Sequence, residues 1–483
     1  MAISKSRSST LAPATGVRHT NFFVFVVFAA FVFLLGGGAR YDIQSLVVLR
    51  PLSFIAVAYA LWVARSDQLK GLPLPFYLLL LLAALMIAQL IPLPPEIWTL
   101  LPGRDEVAKN AALMGLDPSW RPLSLSPYRT WNSLLSLGVP IAAFLLMAVV
   151  EPAHRTRTLS LFLGLGMISL LLGLLQVFGG PDSPAYLYRI TNDAFPVGLF
   201  ANRNHQAIFL AIVVVLAMWY ASSLERQAGW AFRLVLSLGI VLVLIPFSLI
   251  LGSRAGLVAT TMAVAIMPVF IMRARWFEVA RVRGSQSKVK RRLGDRLFTP
   301  GIVTGIYIAV VLSLAAVTIL LSRDAALQRF SVSQNAGPSR LDDLPLLVAL
   351  IKEHFLAGAG FGSFESVFRQ FEPTSHLSPN YLNQAHNDWA QLVIEGGLAA
   401  ITLLGAGLTW LVFQAVLLWK DREGLDFTVR FASLAGIVFF AGASLVDYPL
   451  RTPSMMFLLT ILIFHLKPDR RLRSSHRRNR ATR

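Results

Sequence analysis

The chain contains no cysteine in 483 residues, and that single absence excludes disulfides, thiolate metal sites and a cysteine nucleophile together. Charge is also scarce. Asp, Glu, Lys and Arg make up 14% of the sequence and hydrophobic residues 55%, against roughly 25% charged and 45–50% apolar in ordinary soluble domains. Acids are the scarcer sign, 25 against 44 Lys and Arg, for a formal net charge of +19. His205, His354, His376 and His386 lie scattered, without the spacing of a metal site, so neither a metal nor another cofactor is expected. No internal repeat is visible, which weighs against a transporter built from paired repeats.

What the sequence does hold is a succession of long apolar runs, with a mean hydropathy of +0.62. A bilayer core takes about 20 apolar residues per helix, whereas barrel strands would alternate in short segments. The expectation is an all-α polytopic membrane protein of about 12 helices. They fall near 21–38, 45–64, 73–93, 132–150, 158–178, 206–222, 231–250, 255–272, 299–321, 389–417, 431–446 and 453–466. Lys and Arg concentrate in "RARWFEVARVRGSQSKVKRRLGDR" and in the tail "KPDRRLRSSHRRNRATR", and "EPAHRTR" and "KDREGLDFTVR" lean the same way. By the positive-inside rule these face the cytoplasm, both termini lie inside, and the segments 94–131, 179–205 and 322–388 face outward.

The resulting plan has a cytoplasmic tail over 1–20, nine helices within 21–321, a large outward loop over 322–388, three helices within 389–466 and a basic cytoplasmic tail over 467–483. Because the basic residues flank membrane spans, topology and anionic lipid account for the positive charge, and no nucleic-acid partner is expected. The first apolar run follows Lys5, Arg7 and Arg18 as a signal peptide would. It exceeds a usual signal core and is read as an uncleaved helix.

The outward loop has a design of its own. Ser339, with Asp342 three residues on, resembles the start of a capping box, and Leu344, Leu347, Val348, Ile351 and Phe355 share one helical face before Gly358. Phe361, Phe364, Phe368 and Phe371 then repeat at helical spacing. Two such amphipathic helices would lie on the outer bilayer surface or over a cavity, or else form a packed loop without a special role.

Three outward stretches concentrate polarity. "GLFANRNHQA" carries Asn202, Arg203 and His205; "LGSRAGLVAT" holds Arg254 in a turn too tight for a loop; "LNQAHNDWAQLVIEGGLAA" carries His386, Asn387, Asp388 and Glu395. Arginines on the outer side oppose the positive-inside bias, and charge at membrane depth is costly enough to suggest function, although snorkelling or pairing with acids would also accommodate it. The guanidinium fork suits phosphate oxygens, so two outward arginines fit a lipid diphosphate, and a histidine beside them can take a hydroxyl proton. That combination describes transfer from a lipid diphosphate to an acceptor alcohol. Later, "SLVDYPLRTPS" places Asp447 and Arg451 in another short outward turn, where they either pair with each other or let Arg451 touch a substrate.

These stretches, with "SRLDDLPLLVALIKEHFLAGAGFGSF", also resemble the O-antigen ligase family, in motifs over roughly 195–400 and in topology over the whole chain. The resemblance implies a GT-C-like membrane glycosyltransferase with about a dozen helices and a large periplasmic loop. It implies a metal-independent enzyme that uses undecaprenyl diphosphate-linked saccharide as donor and a glycan or lipid A-core hydroxyl as acceptor. It makes Arg203 and Arg254 the holders of the donor diphosphate and His386 the general base. Arg340 would open the amphipathic helix of the large loop, His205 and Asn202 would orient Arg203, and Asn387, Asp388, Glu395 and Arg451 would support the site. Asp388 and Glu395, two turns apart on one face, either orient His386 or an acceptor, or simply start a helix. With no carboxylate placed as a nucleophile, direct attack would invert the sugar carbon.

The expectation is therefore a ligase or polymerase of cell-surface polysaccharide in the bacterial inner membrane, acting on its periplasmic side. A lipid-linked glycan flippase is the competing class. It would also use outward arginines, but it should show charged or broken helices near mid-membrane, whereas the polarity here gathers at the outer rim.

Overall fold

A computed structural model describes residues 15–116, 119–193, 195–223, 230–273, 316, 344–374 and 382–468. The expected span at 299–321 apart from residue 316, the basic stretch beyond Arg273, Ser339, Arg340, Asp342, His376 and the C-terminal tail beyond 468 lie outside the described residues. Among the described residues the fold is all-α apart from one two-residue pairing of β1 (Pro92–Leu93) with β2 (Arg121–Pro122).

The helices are α1 (Thr15–Leu35), α2 (Leu46–Val63), α3 (Ser66–Leu69), α4 (Leu74–Leu90), α5 (Pro95–Trp98), α6 (Asp105–Leu113), α7 (Pro127–Ser136), α8 (Gly138–Val149) and α9 (Pro152–Gly179). There follow α10 (Arg203–Ser223), α11 (Trp230–Ile250), α12 (Arg254–Ala265), α13 (Leu344–His354), α14 (Phe364–Phe371), α15 (Asp388–Lys420), α16 (Phe427–Ala443), a 3-10 turn (Pro449–Arg451) and α17 (Pro453–Leu466). Among the described residues six stretches are long and apolar enough to cross a membrane: 46–63, 127–149, 152–179, 203–223, 254–273 and 388–420. Shorter apolar helices stand at 20–35, 74–90, 427–443 and 453–466. Uniformly apolar runs become helices because only a helix satisfies every backbone group within one segment in lipid.

Burial separates these helices sharply. The apolar window of α10 is 89% buried, packed by α9, α11, α12 and α16, whereas that of α15 is 11% buried and turns Val412, Phe413 and Trp419 outward. A helix hydrophobic all round is either central or lipid-facing, and these two are one of each. The fourth span begins at Pro127 and continues as α7 and α8 through a break at Leu137.

Helices α13 and α14 pack on the beginning of α15, through Leu347, Leu350, Phe364, Val367 and Phe368 against Ala385 and Ile394. The buried face of α13 is Leu347, Leu350 and His354, while Leu344, Val348 and Phe355 of the expected stripe stay exposed. Phe361 precedes α14 instead of joining it, because the left-handed backbone at Gly360 (φ 98°) and Gly362 (φ 80°) prevents a helix there. The Gly358–Gly360 loop lies along α15, with Ala359 and Gly360 donating to the Ile394 and Glu395 carbonyls at 2.9 Å. Those carbonyls are free to accept because Gly397 (φ 58°) kinks α15. A Cβ on Gly397 would meet the Gly358 nitrogen at 2.6 Å, so glycine is required by both conformation and space.

Candidate functional site

The site gathers at one end of the bundle, where α10 and α12 begin, α15 begins and the 444–452 turn joins α16 to α17. Asp447, 2% exposed, is its centre. Its Oδ1 lies 3.3 Å from His386 Nδ1 and accepts from the Tyr448 amide at 3.0 Å. Its Oδ2 accepts from Asn204 Nδ2 at 2.5 Å and from Asn202 Nδ2 at 3.5 Å. Burial by itself pushes the Asp447 carboxyl up. The His386 hydrogen bond, the charges of His205 and His386 and the Asn204 bond outweigh it and hold the group well below the usual carboxylate range.

His386 has φ 48°, a left-handed backbone that a non-glycine residue seldom holds without support. The support is Asp447 on one ring nitrogen and Tyr448 against the ring, with centroids 4.8 Å apart. An Nδ1–H donating to the carboxylate leaves Nε2 with the lone pair that a base requires. The imidazole is 20% exposed, so a substrate hydroxyl can reach it. Asn387 caps α15 by accepting from the Ala390 amide at 3.0 Å.

Arg203 opens α10 and Arg254 opens α12. The Arg203 guanidinium lies over the Phe195 ring at 3.9 Å, and its amide donates to Asn192 Oδ1 at 3.0 Å. Gly252, in the turn before Arg254, has φ 60°, and a Cβ there would stand 3.6 Å from Arg203 Nη1. The two arginine stretches therefore meet. Ser253 caps α12, its Oγ accepting from the Gly256 amide at 3.1 Å, and Arg254 is exposed beside it. Converging helix N-termini with arginine at the first position favour anions through both the dipole and the guanidinium charge.

Several supporting roles read from the sequence are corrected by the geometry. His205 and Asn202 do not hold the Arg203 side chain: His205 Nδ1 pairs with Thr452 Oγ1 at 3.0 Å, its ring meets Tyr448 at 5.4 Å, and Asn202 reaches Asp447. Asp447 and Arg451 do not pair with each other. Arg451 instead takes both acids of the α15 face, Glu395 Oε2 at 3.0 Å and Asp388 Oδ1 at 3.5 Å, so Asp388 and Glu395 do not orient His386 directly. Burial opposes the Arg451 charge, and the two carboxylates more than offset it, raising its proton affinity. Glu395 is 0% exposed and also accepts from Gln391 Nε2 at 2.9 Å, while Asp388 Oδ2 accepts from Ser444 Oγ and the Leu450 amide.

Asn204, Tyr448 and Thr452 were not singled out by the sequence. Asn204 sat inside the quoted "ANRNH" motif, and Tyr448 follows Asp447, but nothing local signals that these two stretches touch. Among the described residues no group of three or more His, Asp or Glu side chains is arranged to hold a metal ion.

Residues 240–405 match the family model described as O-Antigen ligase. The chain carries an O-antigen ligase family domain. The matched stretch of the ligase-family domain includes Arg254, Arg340, His386 and Glu395; Arg203 precedes it, and Asp447 and Arg451 follow it. No curated protein matches the chain. The family supports a glycan ligase or polymerase type of function on lipid-linked glycan in a membrane.

Proposed function

We propose that the chain transfers a saccharide from undecaprenyl diphosphate to an acceptor hydroxyl on the periplasmic side of the bacterial inner membrane, with both termini in the cytoplasm. The observation that carries this reading is the convergence at one end of the bundle of a carboxylate-held histidine with two arginine-headed helix starts. The acceptor oxygen attacks the sugar carbon that bears the diphosphate, and its proton passes to His386 Nε2. The carbon–oxygen bond to the diphosphate breaks, and the leaving group departs with the electron pair against Arg203 and Arg254. One displacement inverts the sugar carbon, and no step calls for a metal.

Ligation to lipid A-core is the favoured form of the reaction, and polymerisation of O-antigen or exopolysaccharide is its alternative. Deleting the gene and analysing surface glycans separates them. Accumulated lipid-linked polymer indicates a ligase, accumulated single repeat units a polymerase, and accumulation on the cytoplasmic side a flippase. Purified protein incubated with labelled donor and acceptor should form the glycosidic product; absence of product with a folded protein would sink the enzyme reading.

A further inference from the structure

Arg50 is the single charged residue of the 46–63 span, and the transfer reading makes no use of it. It stands one turn inside α2, and the loop before α2 touches the end of the bundle that carries the site. There the Ala201 amide donates to the Gly37 carbonyl and the Ser454 amide to the Gly36 carbonyl, both at 3.0 Å. A charge at that depth is costly unless something answers it. Among the described residues no carboxylate pairs with Arg50. Its Nη2 donates to Asn132 Oδ1 of α7, its Nε is buried without an acceptor, and no protein acceptor among the described residues takes Nη1.

The surroundings select an occupant. With Oδ1 committed to Arg50, Asn132 has its Nδ2 left to donate, and the Tyr128 hydroxyl, one helical turn earlier and close enough to feel the Arg50 charge, belongs to an exposed side chain. A cation among neutral donors calls for an anion, and the guanidinium fork fits phosphate oxygens. The rim is apolar. Val47 and Phe54, three residues before and four after Arg50 on one helix face, are exposed, as is Trp131 beside Asn132. Exposed Tyr and Trp at the start of a span mark the headgroup level, and the apolar face of α2 suits acyl chains. Helix α2 packs chiefly on α1 and α8, whereas Arg203, Arg254 and His386 stand at the starts of α10, α12 and α15.

We infer that Arg50, Asn132 and Tyr128 bind the phosphodiester head of a glycerophospholipid from the leaflet at the site end, with its chains along the exposed face of α2. The lipid is a fixed part of the assembly and not a reactant, so the inference stands independently of the transfer reading. It joins α2 to α7, whose Arg129 in turn holds Glu365 of α14 at 2.8 Å.

The test uses the full chain in maltoside micelles with two photoreactive lipids of equal chains, a phosphatidylglycerol and a diacylglycerol, each with a diazirine near the glycerol. Phosphatidylglycerol should label peptides covering 47–54 and 128–132 at least fivefold more than diacylglycerol. Arg50→Ala should remove that excess while labelling of the exposed α15 face at Val412 and Phe413 is unchanged, and Arg50→Lys, a charge without the fork, should fall between. If Arg50→Ala does not insert, the double variant Tyr128→Phe with Asn132→Ala, which leaves α2 unaltered, should lower the excess at least threefold. Equal labelling by the two lipids, or an excess that survives these variants, overturns the site. Excess inorganic phosphate should leave the labelling in place; displacement by it would assign the group to a free anion and overturn the lipid.

Discussion

Two charge clusters span the same gap between the start of α15 and the 444–452 turn, and they differ in one physical respect. The His386–Asp447 pair keeps its imidazole 20% exposed, whereas Arg451 locks onto Glu395, 0% exposed, and Asp388, 5% exposed. Moving a proton requires a group within reach of substrate. Holding a kinked helix against a turn requires buried charges that are paired, and Arg451 between Glu395 and Asp388 meets that need. Neighbouring residues of one motif, His386 and Asp388, thus differ: on the proposed reading His386 serves the chemistry, while Asp388 ties α15 to the turn.

The largest expected effect is on the architectural side. Glu395→Ala leaves Arg451 with a single acid and removes one partner of Gln391 and the acceptor of the Phe364 amide, so it should destabilise the protein by about 3–5 kcal/mol. Thermal unfolding in detergent measures this, and an unchanged midpoint would break the distinction between the two clusters. On the chemical side, Arg203→Ala should lower transfer by roughly 10²–10³ with little change in unfolding temperature, since on the proposed reading it removes a charge that faces the leaving group. A fall in stability instead of rate would move Arg203 into the architectural class.

A third pair extends the comparison to the large loop. Arg104 donates to the Leu123 and Gly358 carbonyls, and its Nη1 lies 3.5 Å from His354 Nδ1, tying the 94–131 segment to α13. Burial first, and then the Arg104 charge, lower the His354 proton affinity to about 4. The unfolded chain binds this proton near its ordinary value of about 6.5. Between those values the unfolded state carries a proton that the folded state refuses, so stability rises with pH from about 4 to about 6.5, and this contribution is complete above that range. His354→Gln should flatten that part of the stability curve; an unaltered slope would remove His354 as its source. The smallest effect is expected at Asn387→Ala, which deletes the α15 cap for about 1 kcal/mol. Transfer should fall only so far as His386 loses its position.

The helices were legible because uniform apolar runs have one solution in lipid, and described starts such as Leu46 and Leu74 lie within a residue of those read from the sequence. Arg203, Arg254 and His386 were picked out by their chemistry, and the structure brings their three stretches to one end. The partners were not legible. That Asp447 serves His386 while Arg451 serves Glu395 depends on how a turn between α16 and α17 meets α15, a contact with no local signature in "SLVDYPLRTPS". The Gly397 kink is similar, since "EGGL" does not reveal that a separate glycine loop will donate to the opened carbonyls.

The central claim is that His386, held by Asp447, is the base. The direct measurement is the rate of saccharide transfer from a polyisoprenyl diphosphate donor by purified His386→Ala, with donor binding measured on the same sample. The account predicts a fall of roughly 10²–10⁴ in rate with donor binding retained. Transfer at the unmodified rate by a folded His386→Ala protein would contradict it.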